Sequence, residues 1–100
     1  MNEKLTEEEV NVRLEQVGSW AIEEGGKWIA RKYRFPSFMD SIGFVGEVAR
    51  IAEELNHHPM ISIDYRMVTL RLTSWSAGGL TKLDFASAQR YDAAYTVFGQ

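Results

Sequence analysis

Two histidines stand side by side in this chain, His57 and His58, and they are its only histidines. Histidine is the side chain whose charge ordinarily changes near neutral pH, so an adjacent pair is a candidate acid–base couple. Pro59 follows directly, and Glu53 lies four residues before His57. A helix running up to that proline puts Glu53 and His57 on one face, within reach of each other. The expectation is therefore a carboxylate that fixes the orientation of the His57 imidazole, at a helix end whose open carbonyls suit a cation.

Two other readings compete for the same residues. Histidines before a proline also serve simply as solvated helix-ending side chains. A metal site would need a third ligand; Glu53 is the one at hand, since the chain has no cysteine and no further histidine. The reading adopted is metal-free and cofactor-free.

The elements around the pair follow from periodicity. Thr6-Glu7-Glu8-Glu9 has the form of a capping box, with threonine as N-cap, glutamate three residues on and acids in the first turn. Val10, Leu14 and Val17 continue at helical spacing until Gly18. Trp20–Glu23 and Trp28–Phe35, joined by Glu24-Gly25-Gly26-Lys27, form a hairpin pattern closed by Pro36. In its second arm Ile29, Tyr33 and Phe35 share a face, interrupted by Arg31. Ser37 is the next cap, with Asp40 as its capping-box partner. Phe38, Ile42, Val45, Ala49, Ala52 and Leu55 then make a helical stripe, widened by Phe44, Val48 and Ile51, that runs to Pro59. Met60–Asp64 is a short strand. From Tyr65 to Ser74 the residues alternate, with Val68, Leu70 and Leu72 facing one way and Met67, Thr69 and Arg71 the other. Ser76-Ala77-Gly78-Gly79 is a loop, and Thr81-Lys82-Leu83-Asp84 repeats the capping box to open a last helix, to about Val97.

The order is αββαββα. Hairpins imply antiparallel pairing, and long amphipathic helices need a sheet to cover. The expectation is one α+β domain over residues 1–100, with a four-stranded antiparallel sheet and helices on one face.

Composition narrows the function classes. The net charge of −3 provides no electrostatic footprint for nucleic acid. Without cysteine, disulfides, thiolate metal sites and cysteine nucleophiles are excluded. No apolar run approaches a membrane span, and Met1-Asn2-Glu3-Lys4 does not open a signal peptide. The expected setting is soluble and cytoplasmic, with no membrane partner.

Glu53, His57-His58-Pro59, Tyr65, Trp75 and Asp84 follow one another with three, five, nine and eight residues between. Trp20, Tyr33-Arg34-Phe35 and Ala77-Gly78-Gly79-Leu80-Thr81 extend that pattern over roughly residues 6–97. In this the chain resembles the pterin-4a-carbinolamine dehydratase family. The resemblance implies removal of water from a 4a-hydroxytetrahydropterin to give quinonoid dihydropterin, which recycles the cofactor of aromatic amino acid hydroxylases. It implies His57 and His58 as the proton-transfer residues. His57 is given the general-acid role, oriented by Glu53, and His58 the ring-nitrogen side; the reverse order stays open. It places substrate contacts at Glu53, Pro59, Ser74, Trp75, Ser76 and Ala77, with Asp84 as an anchor behind them. Asp84 also fits a plain capping role. The best-known members carry a third histidine where this chain has Trp75, and indole stacks or donates but cannot shuttle a proton. Relatives assemble as homodimers, by joining sheets edge to edge, and as homotetramers. Members also act as a dimerisation cofactor for a homeodomain transcription factor, so a non-catalytic interaction protein is the alternative, with another pterin pathway such as molybdopterin metabolism as a third.

Overall fold

A computed structural model describes residues 3–23 and 25–99. In chain order the elements are α1 (Glu7–Leu14), β1 (Ala21–Ile22), β2 (Ile29–Arg34), α2 (Phe38–Leu55), β3 (Met60–Asp64), β4 (Met67–Leu72), a single 3-10 turn (Trp75–Ala77) and α3 (Lys82–Phe98). The four strands form one antiparallel sheet in the order β1-β2-β4-β3. This is the α+β arrangement that the hydrophobic pattern calls for.

Register decides which residues enter the core. Ile29 pairs with Leu72, Arg31 with Leu70 and Tyr33 with Val68, so these six share the inner face. All but Arg31 are fully buried. Arg31 is tolerated there because its guanidinium donates to Asp92 Oδ1 at 2.7 Å and lies over the rings of Tyr33 (4.3 Å) and Tyr95 (5.1 Å). The same carboxylate oxygen accepts from the Tyr33 hydroxyl at 2.6 Å and the Trp20 indole at 3.0 Å. Burial, and then the Asp92 carboxylate, hold the Tyr33 hydroxyl well above the usual tyrosine range.

Helices α2 and α3 cover this face. On α2 the buried line is Ser41, Phe44, Val48, Ile51 and Ala52; Val45 and Leu55 pack partly against the same core, and the expected stripe fails at its other three members. Phe38 and Ile42 remain 45% and 37% exposed, and Ala49 is exposed as well. Apolar residues span a broad arc of this helix opposite Glu47, Arg50 and Glu54, so spacing alone does not settle which part of the arc is buried. Aromatic packing does: the Phe44 ring sits 4.7 Å from Tyr33 and 5.1 Å from Phe35. Ser41 closes the same side, its hydroxyl shared between the Phe38 carbonyl at 2.6 Å and the Tyr65 carbonyl at 2.9 Å.

The local signals hold with three adjustments. The Thr6/Glu9 capping box forms as expected, but α1 stops at Leu14, and the turns that follow carry Val17 into the core. Ser37 caps α2 by accepting from the Asp40 amide at 3.1 Å, while Asp40 answers the serine hydroxyl at 2.9 Å rather than its backbone N–H. In the first hairpin only Ala21 and Ile22 are strand on the β1 side, and Gly25 and Gly26 take the turn with φ of 90° and 72°. Glu24 lies outside the described residues. No helix among the described residues is long and apolar enough to cross a membrane.

Candidate active site

The histidine pair owes its direction to Asn56. Helix α2 ends at Leu55 because Asn56 turns left-handed, with φ 52° and ψ 45°. Asparagine tolerates that region better than other side-chain-bearing residues. The Asn56 amide then reaches the Glu53 carbonyl at 3.3 Å, and the His57 amide reaches that of Ala52 at 3.0 Å. These two bonds satisfy carbonyls of the last turn and throw the chain off the helix axis.

This overturns the expected pairing. The i, i+4 relation between Glu53 and His57 requires a helix that continues through His57, and the left-handed residue breaks it. Glu53 instead meets His58: Oε2 to Nε2 is 2.6 Å. His57 swings inward to Asp84, with 2.6 Å between its Nε2 and Oδ1. The two couples differ in environment. Asp84 is wholly buried and the His57 side chain 13% exposed, whereas Glu53 and His58 are 79% and 55% exposed. His57 is thus oriented from behind by α3, and His58 from the side by α2.

Asp84 is held by the start of α3 and the segment after β4. The Thr81 hydroxyl and the Asp84 carboxylate form a capping box, in which Oδ2 accepts from the Thr81 amide at 2.8 Å. The same oxygen accepts from the Ser74 hydroxyl at 2.8 Å. Ser74 in turn touches the Thr81 hydroxyl at 2.9 Å, and a bridge to Gly79 ties its backbone. Gly78, with φ 77°, makes the turn that brings Gly79 back. A buried carboxylate is costly unless donors surround it, and here three converge on Asp84. Capping and histidine binding are carried by the two oxygens of one group.

Tautomers follow from these contacts. An ionised carboxylate only accepts, so each imidazole donates its Nε2–H and retains Nδ1 as its second nitrogen. A proton can therefore be taken up or released at Nδ1 while Nε2 stays anchored.

The couples border a cleft of about 500 Å³ lined by Asn56, His57, His58, Thr73, Ser74, Trp75, Ser76, Thr81 and Leu83, within the usual range for small-molecule sites. Of the residues singled out in the sequence, His57, His58, Ser74, Trp75 and Ser76 line it. Glu53 and Asp84 stand behind the histidines, and Pro59 and Ala77 are not part of the lining. Sequence reading missed Asn56, Thr73, Thr81 and Leu83 as wall residues. The available signals were asparagine as a helix-ending residue and the hydroxyls flanking Ser74. Trp75 is 79% exposed and meets Trp28 edge-on, with 5.3 Å between centroids and 84° between planes. Among the described residues no cluster of three or more histidine, cysteine or carboxylate side chains is arranged to hold a metal ion.

The family-wide sequence model described as pterin 4 alpha carbinolamine dehydratase matches residues 3–94. The chain belongs to this family. A Mycobacterium tuberculosis protein provisionally named pterin-4-alpha-carbinolamine dehydratase is 41% identical over 91 residues, 91% of this chain and 95% of its own. Among solved structures, a transcriptional coactivator/pterin dehydratase from Brucella melitensis superposes with a TM-score of 0.89 at 34% identity, covering 92% of this chain and 98% of its own. A pterin dehydratase-like protein identified as a RuBisCO assembly factor in the alpha-carboxysome is similar at a TM-score of 0.66 and 25% identity, covering 76% and 88%. The chain is thus similar both to proteins named for chemistry and to one named for assembly. In this member, the arrangement at the cleft suits proton transfer at two points of one bound molecule.

Proposed function

We propose that the protein dehydrates a 4a-hydroxytetrahydropterin to the quinonoid dihydropterin by acid–base catalysis, with no metal or cofactor. The observation that carries this reading is the pair of imidazole–carboxylate couples, His57–Asp84 and His58–Glu53, at one cleft. In the reaction the C4a–O bond breaks as the hydroxyl takes a proton and leaves as water. The adjacent ring nitrogen loses its proton while its electron pair forms the C=N bond. One group must give a proton and the other must take one. His57, anchored through Nε2 on Asp84, protonates the leaving hydroxyl from Nδ1. His58 accepts from the nitrogen. Each transfer contributes on the order of 10²–10⁴-fold. Ser74 and Ser76 offer hydroxyls to the polar edges of the pterin, Trp75 offers a stacking surface, and Asp84 and Glu53 act through the histidines.

The same reading makes residues 1–100 one cytoplasmic domain that recycles the tetrahydropterin of aromatic amino acid hydroxylases and works as a homodimer or homotetramer. Support for assembly comes from β3, an edge strand exposed at all five residues, including Met60, Ile61 and Ile63. Light scattering on the purified chain tests it, and a clean monomer counts against it. A non-catalytic interaction role is the second reading, favoured by the assembly factor and coactivator among the structural neighbours.

The deciding experiment follows the decay of enzymatically generated 4a-hydroxytetrahydropterin by absorbance. Acceleration by the wild-type chain and its loss in His57→Ala are expected. No acceleration, in a protein that folds and binds pterin, overturns the catalytic reading.

A further inference from the structure

The outer face of the sheet bears a chain of contacts that leads into the cleft. By register, Ala21 on β1, Ala30 on β2, Arg71 on β4 and Met60 on β3 lie in one row. Neither alanine side chain extends past Cβ, which leaves room for a long neighbour to lie along the sheet. Arg71 does so. Its Nε donates to a Glu23 carboxylate oxygen at 2.8 Å, and its guanidinium carbon stands 4.5 Å from the Trp28 ring centroid. Trp28 then meets Trp75 edge-on, and Trp75 is a wall of the cleft, whereas Trp28 is not.

This contact matters because Trp75 is otherwise open to solvent. A freely rotating indole loses conformational freedom when a ligand stacks on it, and that loss weakens binding. An aromatic neighbour that already holds it removes part of the loss, by an amount of about two- to tenfold in affinity for one edge-to-face pair. Trp28 is itself held by a guanidinium over its ring whose charge is met by Glu23, so the support does not depend on Trp75 alone.

We propose that Trp28 is a positioning residue for the site: supported by Arg71 and Glu23, it holds the Trp75 indole at the cleft, where the flat bicyclic ring of a pterin stacks on it. This rests on the pterin reading above. The contribution is to binding, through Trp75, and not to proton transfer.

The test is calorimetric titration of 7,8-dihydrobiopterin into wild type, Trp28→Ala, Trp28→Phe, Arg71→Met, Trp75→Ala and the Trp28→Ala/Trp75→Ala double variant, with dehydration kinetics on the same proteins. Trp28→Ala is expected to weaken binding about two- to tenfold, to raise KM more than it lowers kcat, and to be largely restored by Trp28→Phe. Arg71→Met gives a smaller loss and stands in for Trp28→Ala if that chain does not fold. The double variant binds no worse than Trp75→Ala alone, because Trp28 acts through Trp75. Wild-type affinity in both Trp28→Ala and Arg71→Met overturns the inference and leaves the pterin reading intact. So does an additive loss in the double variant. A wild-type protein that binds no pterin overturns both.

Discussion

Asp84→Asn is the substitution that separates orientation of His57 from mere support of the fold. The two side chains have nearly the same shape, so the difference lies in hydrogen-bond polarity. On one side the carboxylate accepts from the Thr81 amide and the Ser74 hydroxyl; on the other it faces His57 Nε2. The Thr81 amide can only donate, so the asparagine oxygen takes that side and its NH₂ turns toward His57. His57 Nε2 must then accept, which moves the neutral imidazole's proton to Nδ1. The cationic form would set an N–H against an NH₂. An imidazole in this state can neither deliver a proton from Nδ1 as a cation nor accept one there as a base. The expected loss is that of one proton-transfer catalyst, about 10²–10⁴-fold in kcat, or about 2.7–5.4 kcal/mol of transition-state stabilisation. Folding should suffer less. Hydrogen bonds to a charged acceptor contribute about 1.5–3 kcal/mol each, but Asp84→Asn also removes a buried charge, so a net loss of about 1–3 kcal/mol is expected. The assays are carbinolamine decay, urea unfolding and ¹⁵N chemical shifts of the histidine ring, which report the tautomer directly. A variant with the proton on Nδ1 and kcat within threefold of wild type would refute the reasoning.

Further outcomes follow from the same geometry. Glu53→Gln should slow dehydration by less than about tenfold, because exposed ion pairs contribute only about 0–1 kcal/mol; a loss as deep as that of Asp84→Asn would contradict the division between buried and exposed couples. Asn56→Gly should stabilise the fold by up to about 1 kcal/mol and Asn56→Ala should cost about 1 kcal/mol or more, with urea midpoints as the measure and a greater activity loss in the alanine variant, where the His57 amide loses its fixed departure from α2. A hydrogen bond from Arg90 holds the Glu54 carboxyl below the usual carboxylate range. Its folded pKa is lowered, so its stabilisation is present above the ordinary carboxylate range and is lost as pH falls through the lowered value. Glu54→Gln should therefore lower the urea midpoint slightly at neutral pH and leave it unchanged once the wild-type carboxyl is protonated; an equal difference at both pH values would rule out that linkage.

The order of elements, both capping boxes and the inner face of β4 were legible because each is a local signal. Thr6 with Glu9, Thr81 with Asp84, and Val68, Leu70 and Leu72 in alternation all act within a few residues. The histidine partners were not legible in the same way. Whether Glu53 faces His57 depends on one dihedral angle at Asn56, and asparagine is compatible with both a last helical turn and a left-handed stop. The bond between His57 and Asp84 spans 27 residues and exists only once α3 is packed beside the end of α2. The buried face of α2 was legible only in part for a related reason: with apolar residues at both Ile42 and Phe44, the choice falls to Tyr33 on β2 and Phe35 just after it. Trp28 showed no local pattern that tied it to Trp75, since their contact depends on β2 and β4 being adjacent.

The double use of Asp84 bears on how the lineage of such a cleft can be read. A protein of this fold that abandoned proton chemistry would still need the first turn of its last helix, so selection for stability alone would keep Thr81 and Asp84. Glu53 and His58 have no such second employment. Both face solvent, and their bond to each other supports nothing in the core. Drift would erase that outer couple first and leave the inner acid in place. The informative residue in such a cleft is then the one with the least structural reason to be there, and this chain carries both members of that outer pair.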